Sequence, residues 1–81
     1  MRLDKFLKVS RLIKRRAVAK EICDAGRVLV NDRIAKSSTV VQPGDTIYIG
    51  FGARQLRVEV LQTADNVRAD LARELYREIE G

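Results

Sequence analysis

Arg2, Lys5, Lys8, Arg11, Lys14, Arg15, Arg16 and Lys20 put eight cations into nineteen residues, with Asp4 the only acid among them. Ammonium and guanidinium groups at that density suit the neutralising of a polyanion better than a merely solvated helix face. A guanidinium also offers a planar fork that grips phosphate through two hydrogen bonds and stacks on bases. Arg2 and Arg16 are therefore the foremost candidates, and Lys20 extends the same track one turn beyond Arg16. Leu3, Phe6, Leu7, Val9, Leu12 and Ile13 are threaded through the stretch, and a disordered basic tail has no use for them. The run reads as one face of a folded unit. Solvated helix faces usually mix signs, and unpaired like charges destabilise a small fold unless a partner neutralises them.

Asp4 has two readings. It is a first-turn acid of the kind a helix dipole favours, or a carboxylate that orients a neighbouring arginine such as Arg16. Lys36 adds a cation from a later loop, where Arg33 is open between contact and solvation.

Missing residue types narrow the chemistry further. The chain has no histidine and a single cysteine, Cys23, so it has no internal disulfide, no structural zinc site and no histidine base. Cys23 reads as a small residue at the edge of the core. No catalytic residue, metal or cofactor is expected. No window approaches the roughly 18 apolar residues of a membrane span, and Asp4, Lys5 and Lys8 interrupt any secretory apolar run, so a cytoplasmic protein is expected. Residues 1–36 carry eleven basic groups against four acidic, whereas residues 37–81 carry five against seven. The positive field is thus localised, and structured RNA suits it better than single strands, which need aromatic platforms that four aromatic residues scarcely supply.

These cations need rigid elements to hold them. The spacing of Leu3, Phe6 and Leu7 predicts a helix over 2–9, with Lys5 and Lys8 on its opposite side. A second helix is expected over 15–25, ending at Gly26, with Val18, Ile22 and Ala25 as its buried stripe. Arg16 and Lys20 would then lie on the far face, where reversing the charge of Arg16 leaves the fold intact. Alternation follows: a strand over 27–30, a turn through Asn31-Asp32, a strand over 34–36, a turn at Pro43-Gly44-Asp45, and a strand over 46–49 with Tyr48 opposite Ile47 and Ile49. Tyr48 and Phe51 read as sheet packing. Gly50-Phe51-Gly52 is expected to make a flexible corner before a strand carrying Leu56, Val58 and Val60. A closing helix is expected from Asp65 or Asn66 to Ile79, with Val67, Leu71 and Leu75 inward. The fold class is α+β: two helices on a small antiparallel sheet plus a C-terminal helix, in one domain over 1–81 whose core spans 1–50.

RLDKFL, RRAVAKEICDAGRVLVND and VVQPGDTIYI, in that order, resemble the S4-type RNA-binding domain, a likeness covering about residues 1–50. Within it, the chain is most similar to the short stand-alone, ribosome-associated branch that works in ribosome quality control, and more distantly to the ribosome-associated heat-shock family. The resemblance implies RNA contacts on the two helices. It also implies three partners: large-subunit ribosomal RNA, a stranded peptidyl-tRNA, and the factor that adds alanine tails to stalled chains. The free protein is expected to be a monomer. Two departures bear on loop geometry: Asn31-Asp32 stands where the family has Asn-Gly, and Lys36-Ser37-Ser38 where it has Lys-Pro-Ser, so a looser loop is expected.

Rival classes remain. Rescue of blocked large subunits without tailing fits the same residues. An enzyme is disfavoured because thirty-odd residues after the motif are too few for a catalytic domain. A membrane-surface binder would need the apolar sides of the helices that the core requires.

Overall fold

The computed structural model describes residues 1–64 and 67–79. Helix α1 spans Leu3–Val9 and α2 spans Arg16–Asp24. Five strands follow: β1 Val28–Val30, β2 Arg33–Ile34, β3 Thr46–Phe51, β4 Arg54–Val60 and β5 Tyr76–Glu78. They form one antiparallel sheet in the order β2-β1-β3-β4-β5. Leu3, Phe6 and Leu7 of α1 are fully buried with Val28, Ile47, Ile49, Val58 and Val60 from one face of the sheet. This agrees with the helical spacing of the first three residues and the alternation of the rest.

The buried stripe of α2 differs from the expected one. Ala19 and Cys23 are the buried residues of α2, whereas Val18 is 40% exposed, Ile22 is half-buried and Ala25 is exposed. Small side chains let a helix approach its neighbours closely, and that closeness outweighs the larger apolar area of Val18. Arg16 lies three residues before Ala19 and so stands beside the buried seam, not opposite it.

The connector between the helices is tight. Arg11 takes a left-handed conformation (φ 62°) immediately after Ser10, the C-terminal cap of α1, and its N–H donates to the Lys8 carbonyl at 3.0 Å. Glycine commonly fills that position. The Ile13 N–H then donates to the Leu7 carbonyl at 3.0 Å, and Ile13 is buried.

Asn31 and Asp32 both have positive φ (52° and 67°) between the paired residues Val30 and Arg33, the backbone of a two-residue type I′ hairpin turn. Asp32 thus adopts a conformation usually left to glycine. The Asn31 side chain clips this turn to the next: its amide donates to Asp45 Oδ1 at 3.1 Å and its carbonyl accepts the Thr46 N–H at 3.0 Å. The loop after β2 is also closed rather than loose. The Lys36 N–H donates to Thr39 Oγ1 at 2.9 Å, the Thr39 N–H returns to the Lys36 carbonyl at 3.0 Å, and Ser37 is buried.

Two expectations fail in the second half. Gly50 and Phe51 continue β3, and the turn is confined to Gly52-Ala53 (φ 59° at Gly52), between the paired residues Phe51 and Arg54. The closing α-helix over 67–79 is instead a 3-10 helix, Ala69–Leu75, followed by β5; Asp65 and Asn66, its expected caps, lie outside the described residues. Ala72 and Leu75, three apart, are buried, while Leu71 is 41% exposed. The Leu75 carbonyl accepts the N–H groups of Leu61 (2.8 Å) and Gln62 (3.3 Å). Tyr76–Glu78 then pairs with β4, whose edge would otherwise present unpaired backbone groups.

Candidate nucleic-acid interface

Among the described residues, Asp4 gathers the largest set of charged hydrogen-bond partners. Arg2 is the extended N-cap of α1 and bridges to Val40, while Asp4 sits in the first turn. The chain from Met1 to Asp4 is tied down by the segment 37–41: the Leu3 N–H donates to the Thr39 carbonyl (2.7 Å) and the Asp4 N–H to the Ser37 carbonyl (3.2 Å). That pairing also holds the Lys36 backbone next to the start of α1. Asp4 Oδ1 accepts three hydrogen bonds, from Arg2 Nε (3.3 Å), Arg16 Nη2 (3.3 Å) and the Lys5 N–H (2.8 Å).

The Asp4 side chain is 4% exposed, whereas those of Arg2 and Arg16 are about half exposed (50% and 47%). Burial alone would raise the Asp4 pKa, but the bonds from Arg16 and Arg2, with the Arg16 charge and the Lys5 N–H, hold it below the ordinary 3.8. One buried carboxylate therefore braces two guanidinium groups whose outer faces meet solvent. Asp4 is a first-turn acid, and its carboxylate also bonds arginines from two elements. Two cations share one anion, so the group keeps a net positive charge.

Lys8, Arg11, Lys14, Arg15, Lys20 and Lys36 are all exposed, and none of these six pairs with a carboxylate among the described residues. Lys5 is half-buried on α1. The tight connector brings Arg11, Lys14 and Arg15 between the two helices. Helix α2 begins without a capping side chain, and Arg15 and Arg16 stand at the end where its dipole favours acids. That end is a strongly positive surface. Cys23 takes no part: burial first, then the charges of Asp4 and Asp24, push its thiol up to about 11, so it stays protonated.

Guanidinium forks held by a buried carboxylate suit bidentate contact with phosphate. A profile of the S4 domain matches residues 1–47, more than half of the chain. The chain belongs to the S4-domain family. This chain is 54% identical to the "RQC P-site tRNA stabilizing factor" of Halalkalibacterium halodurans, over 94% of its own length and 86% of that protein's. It is 49% identical to the Bacillus subtilis protein of the same name, covering 94% and 88%. Among solved structures, Vibrio cholerae heat shock protein 15, whose structure is trimeric, superposes with a TM-score of 0.89 at 34% identity, covering 98% of this chain and 81% of that one.

Strand alternation set Tyr48 opposite Ile47 and Ile49, but the sequence reading missed its grouping: register across the sheet places Leu29, Tyr48 and Arg57 side by side on the face away from the core. No helix among the described residues is long and apolar enough to cross a membrane.

Proposed function

We propose that this protein is a non-enzymatic RNA-binding factor of ribosome quality control. It binds the large ribosomal subunit in the cytoplasm and contacts ribosomal RNA and a peptidyl-tRNA stranded there. The observation that carries this reading is the pair of half-exposed guanidinium groups braced on one buried carboxylate, in a chain segment whose other exposed cations pair with no carboxylate among the described residues. Arg2, Lys5, Lys8, Arg11, Lys14, Arg15, Arg16, Lys20 and Lys36 supply the RNA-binding face, and Asp4 orients Arg2 and Arg16 within it. The chain acts as one domain over 1–81 and is a monomer when free.

The mechanism is electrostatic. Preoriented arginines fix the register on an RNA backbone, and the surrounding lysines add affinity through counterion release. Gripping ribosomal RNA and the tRNA backbone at once would hold the tRNA in its site while the tailing factor extends the stalled chain with alanine. The relatives named as P-site tRNA stabilizing factors support this reading over its rival, heat-shock-type rescue without tailing. They are about half identical to this chain, against about one third for the heat shock protein.

Sucrose-gradient sedimentation of the tagged protein tests the subunit, and a reconstituted alanine-tailing reaction tests the role. Comigration with large subunits and a dependence of tailing on the protein are expected. Comigration without any effect on tailing would favour the rescue reading, and absence from the subunit fractions would refute both.

A further inference from the structure

We propose that the sheet face turned away from α1 and α2 is a second RNA contact, one that takes an unstacked nucleotide from a loop or single-stranded segment. It goes beyond the phosphate-binding helical face and uses different chemistry.

Ile34, Leu29, Tyr48 and Arg57 stand directly opposite one another across four strands and form one row on this face. Their strand neighbours Val28, Val30, Ile47, Ile49 and Val58 point the other way, into the core. Ile34 is 69% exposed, the most exposed of the large apolar residues described. The Arg57 guanidinium lies over the Tyr48 ring, 5.8 Å from its centroid, and approaches the exposed Asp32 only at 4.0 Å. A shallow groove of about 460 Å³ runs beside Tyr48, lined by Arg27, Leu29, Ile34 and Gly50 with the turn glycines, and no carboxylate among the described residues lines it.

Gly50 makes the groove possible, and the fold does not require a glycine there. Its φ is not in the left-handed region, and an added Cβ would meet only the Arg27 carbonyl, at 3.8 Å. Glycine inside a strand weakens it and often marks close approach by a ligand. Here it leaves bare backbone between an aromatic wall and an aliphatic floor.

An apolar floor, a tyrosine and two arginines match a flat apolar body that carries negative charge. A nucleotide has that composition: the base lies on Leu29, Ile34 and Tyr48, and its phosphate meets Arg27 and Arg57. A second copy of this chain would set arginines against arginines. An apolar peptide anchor would leave them unmatched.

The test is titration of the isotope-labelled protein with hexauridylate at low salt, followed by amide chemical shifts. The largest shifts are expected at Leu29, Ile34, Tyr48 and Gly50. Gly50→Val fills the floor with a good strand former, so it should fold at least as stably as the parent while binding hexauridylate about tenfold or more weakly. Tyr48→Ala should weaken it by a similar factor. Shifts confined to α1 and α2, or equal affinity in a folded Gly50→Val protein, would overturn the proposal. So would displacement of bound hexauridylate from wild type but not from Gly50→Val by a hexaglutamate peptide with higher affinity for the groove. Cosedimentation of Lys8→Ala and Lys14→Ala variants with large subunits reports on the helical face alone, so failure of either reading is seen separately.

Discussion

The Arg16 guanidinium donates to the Asp4 carboxylate across 3.3 Å, joining the first turn of α2 to the first turn of α1. Because the Asp4 side chain is 4% exposed, the bond fixes an arginine at the surface by means of an anion beneath it. Simple electrostatics and positioning then make opposite predictions for Asp4→Asn. Removing an acid raises the net charge and should strengthen binding to a polyanion. If Asp4 positions Arg2 and Arg16, binding should instead weaken by about fivefold or more, and stability should fall by about 1–3 kcal/mol through lost charge-assisted bonds. Cosedimentation with large subunits and urea unfolding read the two effects, and tighter binding by the variant would refute positioning.

The same contact makes charge reversal at Arg16 a poor probe, contrary to the expectation that it leaves the fold intact. Arg16→Glu sets a carboxylate against a buried carboxylate, a loss of a few kcal/mol. Arg16→Gln avoids that repulsion. It should keep the fold, with a lower urea midpoint than wild type, and lose most large-subunit association; association at the wild-type level would remove Arg16 from the interface.

Acid unfolding should expose the Asp4 linkage. Its folded pKa is depressed below the ordinary 3.8, so its contribution is complete above the unfolded value and disappears as pH falls through the folded one. The stability gap between wild type and Asp4→Asn should be full at pH 7 and close below about pH 4. Cys23 has the opposite sign. With its pKa raised from 9.0 to about 11, stability is complete below 9 and declines as pH rises toward 11. Native protein should also resist iodoacetamide at pH 8 and react once unfolded; equal rates in both states would contradict the burial.

Salt titration counts the phosphates. Lys8 and Lys14 are exposed and unpaired among the described residues, so alanine at either should change stability by less than about 0.5 kcal/mol. Each substitution should reduce the slope of log affinity against log salt by about 0.7–0.9. A slope unchanged in both variants would place them outside the interface.

Arg11 separates fold from function most cleanly. A non-glycine residue in the left-handed region costs roughly 1–2 kcal/mol. Arg11→Gly should therefore raise the melting temperature while weakening large-subunit association. A more stable variant that binds as tightly as wild type would mean that the cation at this position has no role.

Local pattern determined much of this protein. The inward residues of α1, the alternation of β1, β3 and β4, the stop at Gly26 and the basic run all follow from helical or strand periodicity, which depends only on neighbours in the chain. The tertiary structure alone decided three things. Close packing chose the small Ala19 and Cys23 over Val18 for the buried side of α2. The open edge of β4 drew Tyr76–Glu78 out of its helical pattern into a fifth strand. Above all, of the two readings the sequence left open for Asp4, its contact with an arginine twelve residues away was decided by burial in a first turn fastened to residues 37–39. Burial and charge pairing depend on what folding brings together, and no periodicity within one segment encodes that.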